Sequence, residues 1–504
     1  MWQPGLFILG LILWITILRF PFFFESFGPD EGLFLTMAVR VLNGARLYTD
    51  IWDNKPIGII LIYVVITKVL GVSTLAVNLA SSIAVFISSC LVCLIGYHIT
   101  KTWRAGMISA FTLPAYMLDL GANGANTETF MMVLQSFSVL LIVRHISRAR
   151  TPKEHLRFSL IFGFLQGMLF QMKFPSLFET VALSMVLAIA IWLEQRKFFV
   201  VILVAFVSVF GFIFSTLIEF AYFFVTGGVS DLIYANFISP RYYVKSPFGL
   251  ADPLHSIELT ARRMSYFVTL IFVGCWFTWK NIRKALQGEG SATITLLCAW
   301  TLGALLGATS SGYFRYYYFI SLAAPLTLLG ALAMDHLLTR RSKHSAYATV
   351  VAVAVLVAYP LSEHIRKVPQ QMLSEEYELQ QRTTATARLL SRPGSTTFFA
   401  DLNPGLYALT DTVPATKYPQ AVTHVFDRPE AFGVEPAVEL HRIFERKPEL
   451  VMGTWLRIGP DAKYAAIITP LLAAQYERVP IEDPFLSERV GIFRLRVDNN
   501  AGER

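Results

Sequence analysis

The sequence predicts a polytopic α-helical membrane protein, with about eleven transmembrane helices, juxtamembrane helices in the first outer loop and a C-terminal extracytoplasmic α/β domain. Three observations predict it. Of 504 residues, 54% are hydrophobic and only 15% charged, where a soluble domain carries roughly 25% charged residues. Apolar character dominates residues 1–361 and falls away over 362–504, which divides the chain into a membrane domain and a smaller domain with a different solvent. Lysine and arginine gather in short loops between the apolar runs, as in the cytoplasmic loops of membrane proteins.

Apolar runs that span a bilayer, or nearly so, occur at about 3–23, 76–99, 105–120, 127–143, 158–173, 177–193, 198–226, 265–279, 291–309, 316–334 and 345–361. The basic loops at 98–104, 144–157, 196–197, 280–284 and 340–343 alternate consistently only if the N-terminus is cytoplasmic. The segments 24–75, 121–126, 174–176, 227–264, 310–315 and everything after 361 are then outside, in a plasma (inner) membrane. A twelfth run, Ile57–Leu70, would invert every later loop if it crossed. It holds fourteen residues and carries Lys68, a length suited to an interfacial or re-entrant helix.

Beyond residue 361 charged and proline residues become frequent. Short β-rich pieces at 395–400, 449–452 and 490–497 alternate with helix-like stretches around 374–391, 435–445 and 461–474, the pattern of a small α/β domain. The net charge of +8 resides in the loop pattern and does not point to nucleic acid. Cys90, Cys93, Cys275 and Cys298 all fall in apolar runs, which predicts helix-packing residues and no disulfide.

The segment most able to carry chemistry is the first outer loop. Asp30 and Glu31 follow Gly28-Pro29 directly beyond the first helix, where partial desolvation raises a carboxyl pKa toward values useful for proton abstraction. Acidic residues are equally favoured at a helix start for capping and dipole reasons. Asp50, Asp53 and Lys55 follow some twenty residues on. Lys55 before Pro56 suits a phosphate contact or a lysine that merely snorkels to the interface. Asp50-x-x-Asp53 is compatible with a divalent metal ion, though two carboxylates are a thin ligand set. Two further basic and aromatic clusters stand in outer segments: Arg241, Tyr242 and Lys245, suited to a sugar or a headgroup, and Arg315 with Tyr316–Tyr318, where the guanidinium suits a bidentate phosphate contact. Interfacial tyrosines are common in any membrane protein.

The string PDEGLFLTMAVRVLNGARLYTDIWDNKPIGIILIY resembles the first-loop signature of the GT-C glycosyltransferases, in particular the family of protein O-mannosyltransferases and the aminoarabinose transferase acting on lipid A. There an Asp-Glu pair follows the first helix, a short amphipathic helix comes next, and a Tyr-x-Asp and a Lys-Pro-Pro or His-Pro-Pro element lead into a membrane-surface helix. Ile57 stands where the second proline is usual. The resemblance implies that Asp30 is the catalytic base with Glu31 in support, that Lys55 holds a lipid phosphate, and that Glu128 in GANGANTETF is the acidic residue at the outer end of a later helix, a position that a helix-capping charge also explains. It implies that the tyrosine-rich segment with Arg315 leads into a late helix with its proline at Ala323-Ala324-Pro325. It further implies a polyprenyl-phosphate-linked sugar donor, an acceptor glycan, lipid or protein, membrane lipids as surroundings, and no required cofactor apart from a possible divalent metal ion. The stretches 400–411 and 415–419 look like the outer-domain segments of bacterial members and suit acceptor recognition or lid packing. The rival readings are a transporter or flippase of a lipid-linked or amphiphilic solute, for which internal repeats and midplane charges are expected, and a non-catalytic scaffold.

Overall fold

The computed structural model describes residues 4–122, 124–243, 292–312, 315–339, 374–420 and 429–496, together with Ser362 and Val425. The apolar runs expected at 265–279 and 345–361, the basic loops at 280–284 and 340–343, Cys275 and Lys245 lie outside the described residues.

Each apolar run becomes a helix where it is described. In order these are α1 (Pro4–Arg19), α2 (Pro29–Leu42), α3 (Ile57–Leu70), α4 (Thr74–Thr100), α5 (Trp103–Asp119), α6 (Thr127–Ile146), α7 (Pro152–Met172), α8 (Ser176–Gln195), α9 (Phe198–Thr226), the short α10 (Val229–Ile233) and α11 (Ser239–Tyr243), then α12 (Ala292–Thr309) and α13 (Ala323–Thr339). Among the described residues seven segments are long and apolar enough to cross a membrane: Pro4–Phe23, α4, α6, α8, α9, α12 and Tyr316–His336. The protein is a multi-pass membrane protein. Its lipid-facing surface is plain on α9, where Phe199, Phe206 and Val225 stand 74%, 68% and 85% exposed, a degree that water would not tolerate over so wide an apolar face.

With hydrocarbon on the outside, helices associate by close packing rather than by escaping water. A Cβ on Gly163 of α7 would come within 2.0 Å of the Ser208 carbonyl of α9, and one on Gly211 within 2.4 Å of the Leu160 carbonyl, so these two helices meet backbone to backbone. Arg19, at the end of α1, is buried. Its guanidinium donates to Ser82 Oγ at 2.9 Å, to Ser81 Oγ at 2.7 Å and to the Ala122 carbonyl. This satisfies a charge that would otherwise be costly there and ties α1 and α4 to the turn before α6.

Fourteen residues is too short for α3 to cross, and the helix ends at Gly71, whose φ of 87° suits glycine. It packs on α2, and both belong to a core shared with the C-terminal region.

That region holds α14 (Glu375–Leu390), β1 (Thr396–Ala400), α15 (Gly405–Leu409), β2 (Val413–Pro414), α16 (Pro436–Glu445), β3 (Leu450–Thr454), α17 (Ala465–Gln475), β4 (Tyr476–Arg478) and β5 (Val490–Leu495). The strands form one mixed sheet in the order β2-β1-β3-β5-β4, parallel at β2-β1-β3 and antiparallel at β3-β5-β4. β2 and β4 are two and three residues long, too short to show alternation, and for that reason the sequence pattern reveals only the other three strands.

The sheet domain is seated on the first loop. Phe27 N–H donates to Gln380 Oε1 at 2.9 Å, Asn403 Nδ2 to the Phe27 carbonyl at 2.6 Å, Thr36 Oγ1 to the Pro404 carbonyl at 2.6 Å and Trp52 N–H to the Lys417 carbonyl at 2.7 Å. Gly32 is the point of closest approach: a Cβ there would lie 2.0 Å from Asn403 Oδ1 and 2.6 Å from Gly405 N. Gly32→Ala is therefore expected to destabilise this junction by about 1–3 kcal/mol, the cost of overpacking a rigid contact, measured as a lower midpoint of thermal unfolding in lipid nanodiscs.

Candidate active site

The first loop is organised around the start of α2. Pro29 takes the first helical position, where its missing N–H costs nothing, and Glu31 at the third reaches back to the Gly28 N–H at 2.9 Å. The other carboxylate oxygen of Glu31 accepts the Ala125 N–H at 2.6 Å. Burial pushes the Glu31 carboxyl up from the usual range, opposed by those two backbone N–H groups. Glu31 thus clasps the 121–126 turn to α2. It faces away from the main cavity.

Asp30, one residue earlier, lines a cavity of about 350 Å³ that also receives Lys55, Glu128, Lys173, Glu179 and Tyr318. Lys55 Nζ lies 3.8 Å from Asp30 Oδ1 and 3.8 Å from Asp53 Oδ2. Asp53 is buried, whereas Asp30 and Lys55 keep about a third of their side chains accessible (37% and 31%). The Lys55 backbone is held from behind: its carbonyl accepts Tyr48 Oη at 2.7 Å, and Tyr48 Oη in turn accepts Asn236 Nδ2 at 3.2 Å. Tyr48 itself has φ 65°, a left-handed conformation rarely adopted by an aromatic residue, and its N–H bond to the Ile51 carbonyl at 2.7 Å fixes the bend.

The opposite wall comes from the α6 start and the α7–α8 link. Lys173 Nζ is paired with Glu128 and lies 3.6 Å from the centre of the Tyr318 ring. Deeper, Glu179 accepts Gln135 Nε2 at 2.7 Å and Trp300 Nε1 at 3.0 Å.

Of the residues singled out in the sequence, Asp30, Lys55 and Glu128 line this cavity and Asp53 backs Lys55. Asp50 does not join them, because its exposed carboxylate is taken by Arg46 at 3.1 Å. Asp50 and Asp53 are thereby engaged by different cations, and among the described residues no three His, Cys, Asp or Glu side chains converge as metal ligands. Arg241 and Tyr242 are exposed on α11, whose Pro240 alone reaches the cavity. Arg315 is exposed, and Tyr316 packs across Gly121, where a Cβ would come within 2.1 Å of the ring; neither lines the cavity, while Tyr317 and Tyr318 do. Lys173 and Glu179 escape sequence reasoning. A lysine at the end of an apolar run looks like an ordinary snorkelling residue, and a single glutamate inside one gives no hint of which neighbour it meets.

The fold of the chain is shared with solved structures. The chain is similar over its whole length to ArnT from Cupriavidus metallidurans bound to undecaprenyl phosphate, with a TM-score of 0.61 at 13% identity over 98% of each chain. The apo state of the same protein gives 0.61 at 12% identity over 97% of each. The archaeal oligosaccharyltransferase AglB from Archaeoglobus fulgidus, in complex with an inhibitory peptide and a dolichol-phosphate, gives 0.56 at 10% identity over 94% of this chain and 72% of that one. No protein-family model matches the chain, and no curated protein matches its sequence.

Proposed function

We propose that the protein is an inverting glycosyltransferase, which moves a sugar from a polyprenyl-phosphate carrier to an acceptor hydroxyl on the outer face of the membrane. The observation that carries this reading is the convergence of Asp30 with two lysines, Lys55 and Lys173, on one cavity at the end of the helix bundle. The solved structures of like fold include one holding undecaprenyl phosphate and one holding a dolichol-phosphate, which supports a lipid phosphate as the ligand of the basic groups. The charge alternation of the loops supports a cytoplasmic N-terminus and an outward cavity, with residues 1–361 as the catalytic membrane domain and 362–504 as the outer one.

In this mechanism Asp30 takes the acceptor proton as the acceptor oxygen bonds to the anomeric carbon, and the bond from that carbon to the phosphate oxygen breaks. The lipid phosphate leaves with the electron pair, and its charge meets the Lys55 and Lys173 ammoniums. A single displacement inverts the anomeric centre. Lys55 is paired with Asp30 and Asp53 and Lys173 with Glu128, and the 3.8 Å contact between Lys55 and Asp30 is loose. A phosphate oxygen forms the stronger, shorter contact, so donor binding draws Lys55 off Asp30 and frees the base at the moment it is needed.

The test is incubation of the protein in nanodiscs with a panel of polyprenyl-phosphate sugars and a cell-envelope extract as acceptor, with free polyprenyl phosphate measured. Release with one sugar of the panel is expected; no release with any would overturn the reading.

A further inference from the structure

A second cavity, of about 320 Å³, lies at the seam between the first loop and the sheet domain, a volume within the range of small-ligand sites, roughly 300–1,000 Å³. Ser26, Phe27 and Pro29 bound it on one side, and Gln380 of α14 with Phe399 and Asp401 of the sheet domain on the other. It shares the first turn of α2 with the catalytic cavity: Pro29 lines the seam and Asp30, the next residue, lines the other side.

The polar groups of the seam are only partly used. Gln380 is 4% exposed, and its Oε1 accepts the Phe27 N–H at 2.9 Å, yet its Nε2 has no partner among the described residues. A buried amide donor in that state calls for an acceptor atom. Asp401 offers the complementary need. Its backbone sits at φ 60°, a left-handed conformation that aspartate adopts more readily than most residues. Among the described residues its Oδ2 meets Thr454 Oγ1 at 3.3 Å and Arg457 Nε at 3.5 Å, which leaves lone pairs for a donor. A hydroxyl both accepts from Gln380 and donates to Asp401, whereas a phosphate would be repelled by the carboxylate. Phe27, Leu379 and Phe399 add apolar residues to the lining, suited to the C–H face of a ring. Alternating hydroxyl and C–H faces are the chemistry of a saccharide.

We infer that the seam cavity is a saccharide-binding site, and that the acceptor of the transfer presents a sugar to it. The second half rests on the transferase reading; the first half does not.

The experiment is a calorimetric titration of the full chain in nanodiscs with maltotriose and with chitotriose, beside co-sedimentation with vesicles carrying a glucosyl diacylglycerol. Binding of a free oligosaccharide identifies a glycan source and binding of the vesicle alone a glycolipid; either supports the site. Gln380→Glu keeps an oxygen for the Phe27 N–H but replaces the donor with an acceptor, and Ser26→Phe fills the cavity without touching Gln380. Each is expected to weaken binding at least tenfold with an unchanged unfolding midpoint; if the first fails to fold, the second decides. Wild-type affinity in the folded variants, or no binding of any probe by the wild type, would overturn the inference. Polyprenyl phosphate release is read separately, so its absence would remove the acceptor role and leave the saccharide site standing.

Discussion

Asp30→Asn is expected to lower the rate of sugar transfer by about 10²–10⁴-fold, the range lost when a positioned general base is removed. Asparagine matches aspartate in shape and removes only the basic oxygen. Asp30 keeps 37% of its side chain accessible and its ion pair with Lys55 is loose, so the unfolding midpoint should change little. Binding of undecaprenyl phosphate should persist or tighten, because Lys55 would lose a competing carboxylate and retain Asp53 at 3.8 Å. Full transfer by the variant with a purified lipid-linked sugar would sink the base assignment.

Lys173→Met should produce the second large effect, and it should appear in stability as well as in binding. Glu128 is 4% exposed and its cation is Lys173. Removal of one member of a buried ion pair strands the other, at a cost on the order of 3–5 kcal/mol. Combining the change with Glu128→Gln removes the stranded charge and should restore most of the unfolding midpoint, a coupling that a double-mutant cycle measures. Affinity for undecaprenyl phosphate should stay low in the double variant, weaker by about 10–100-fold, as expected for a lost charge-assisted hydrogen bond of roughly 1.5–3 kcal/mol. Recovery of stability together with full lipid-phosphate affinity would show that Lys173 only balances Glu128.

The two substitutions probe residues of unequal visibility. Asp30 and Lys55 stand in one loop of contiguous sequence, and the length of α3 together with the charge alternation predicts from sequence that this loop stays at a membrane surface. Lys173, Glu179 and Tyr318 reach the same cavity from three other helices or helix junctions, separated from Asp30 by more than a hundred residues of chain. Their residue types are those of ordinary membrane-interface or packing positions, so nothing local distinguishes them. The same limit applied in reverse to Asp50. Its place beside Asp53 suggested a shared role, but the chain bends at Tyr48 and turns Asp50 toward Arg46.

Glu31 illustrates how one pair of neighbours can divide. Asp30 and Glu31 are adjacent on α2, and a helix turns about 100° per residue, so they cannot share a direction. Which one meets the cavity depends on where the 121–126 turn lies, since that turn supplies the Ala125 N–H that captures Glu31. The contacts between Gly32 and Asn403, and between Phe27 and Gln380, likewise join residues more than three hundred positions apart.

What the sequence determined by itself was set by solvent and periodicity: apolar runs long enough for lipid, a fourteen-residue run too short to cross, and a polar tail able to form a sheet. These are properties of contiguous segments, and the hydrophobic effect acts on them wherever their partners lie. The tertiary structure alone decided which charges meet, because pairing and burial depend on the packing of helices distant in the chain. It put Lys173 opposite Asp30, turned Glu31 into a clasp, and opened a second cavity on the far side of the same helical turn.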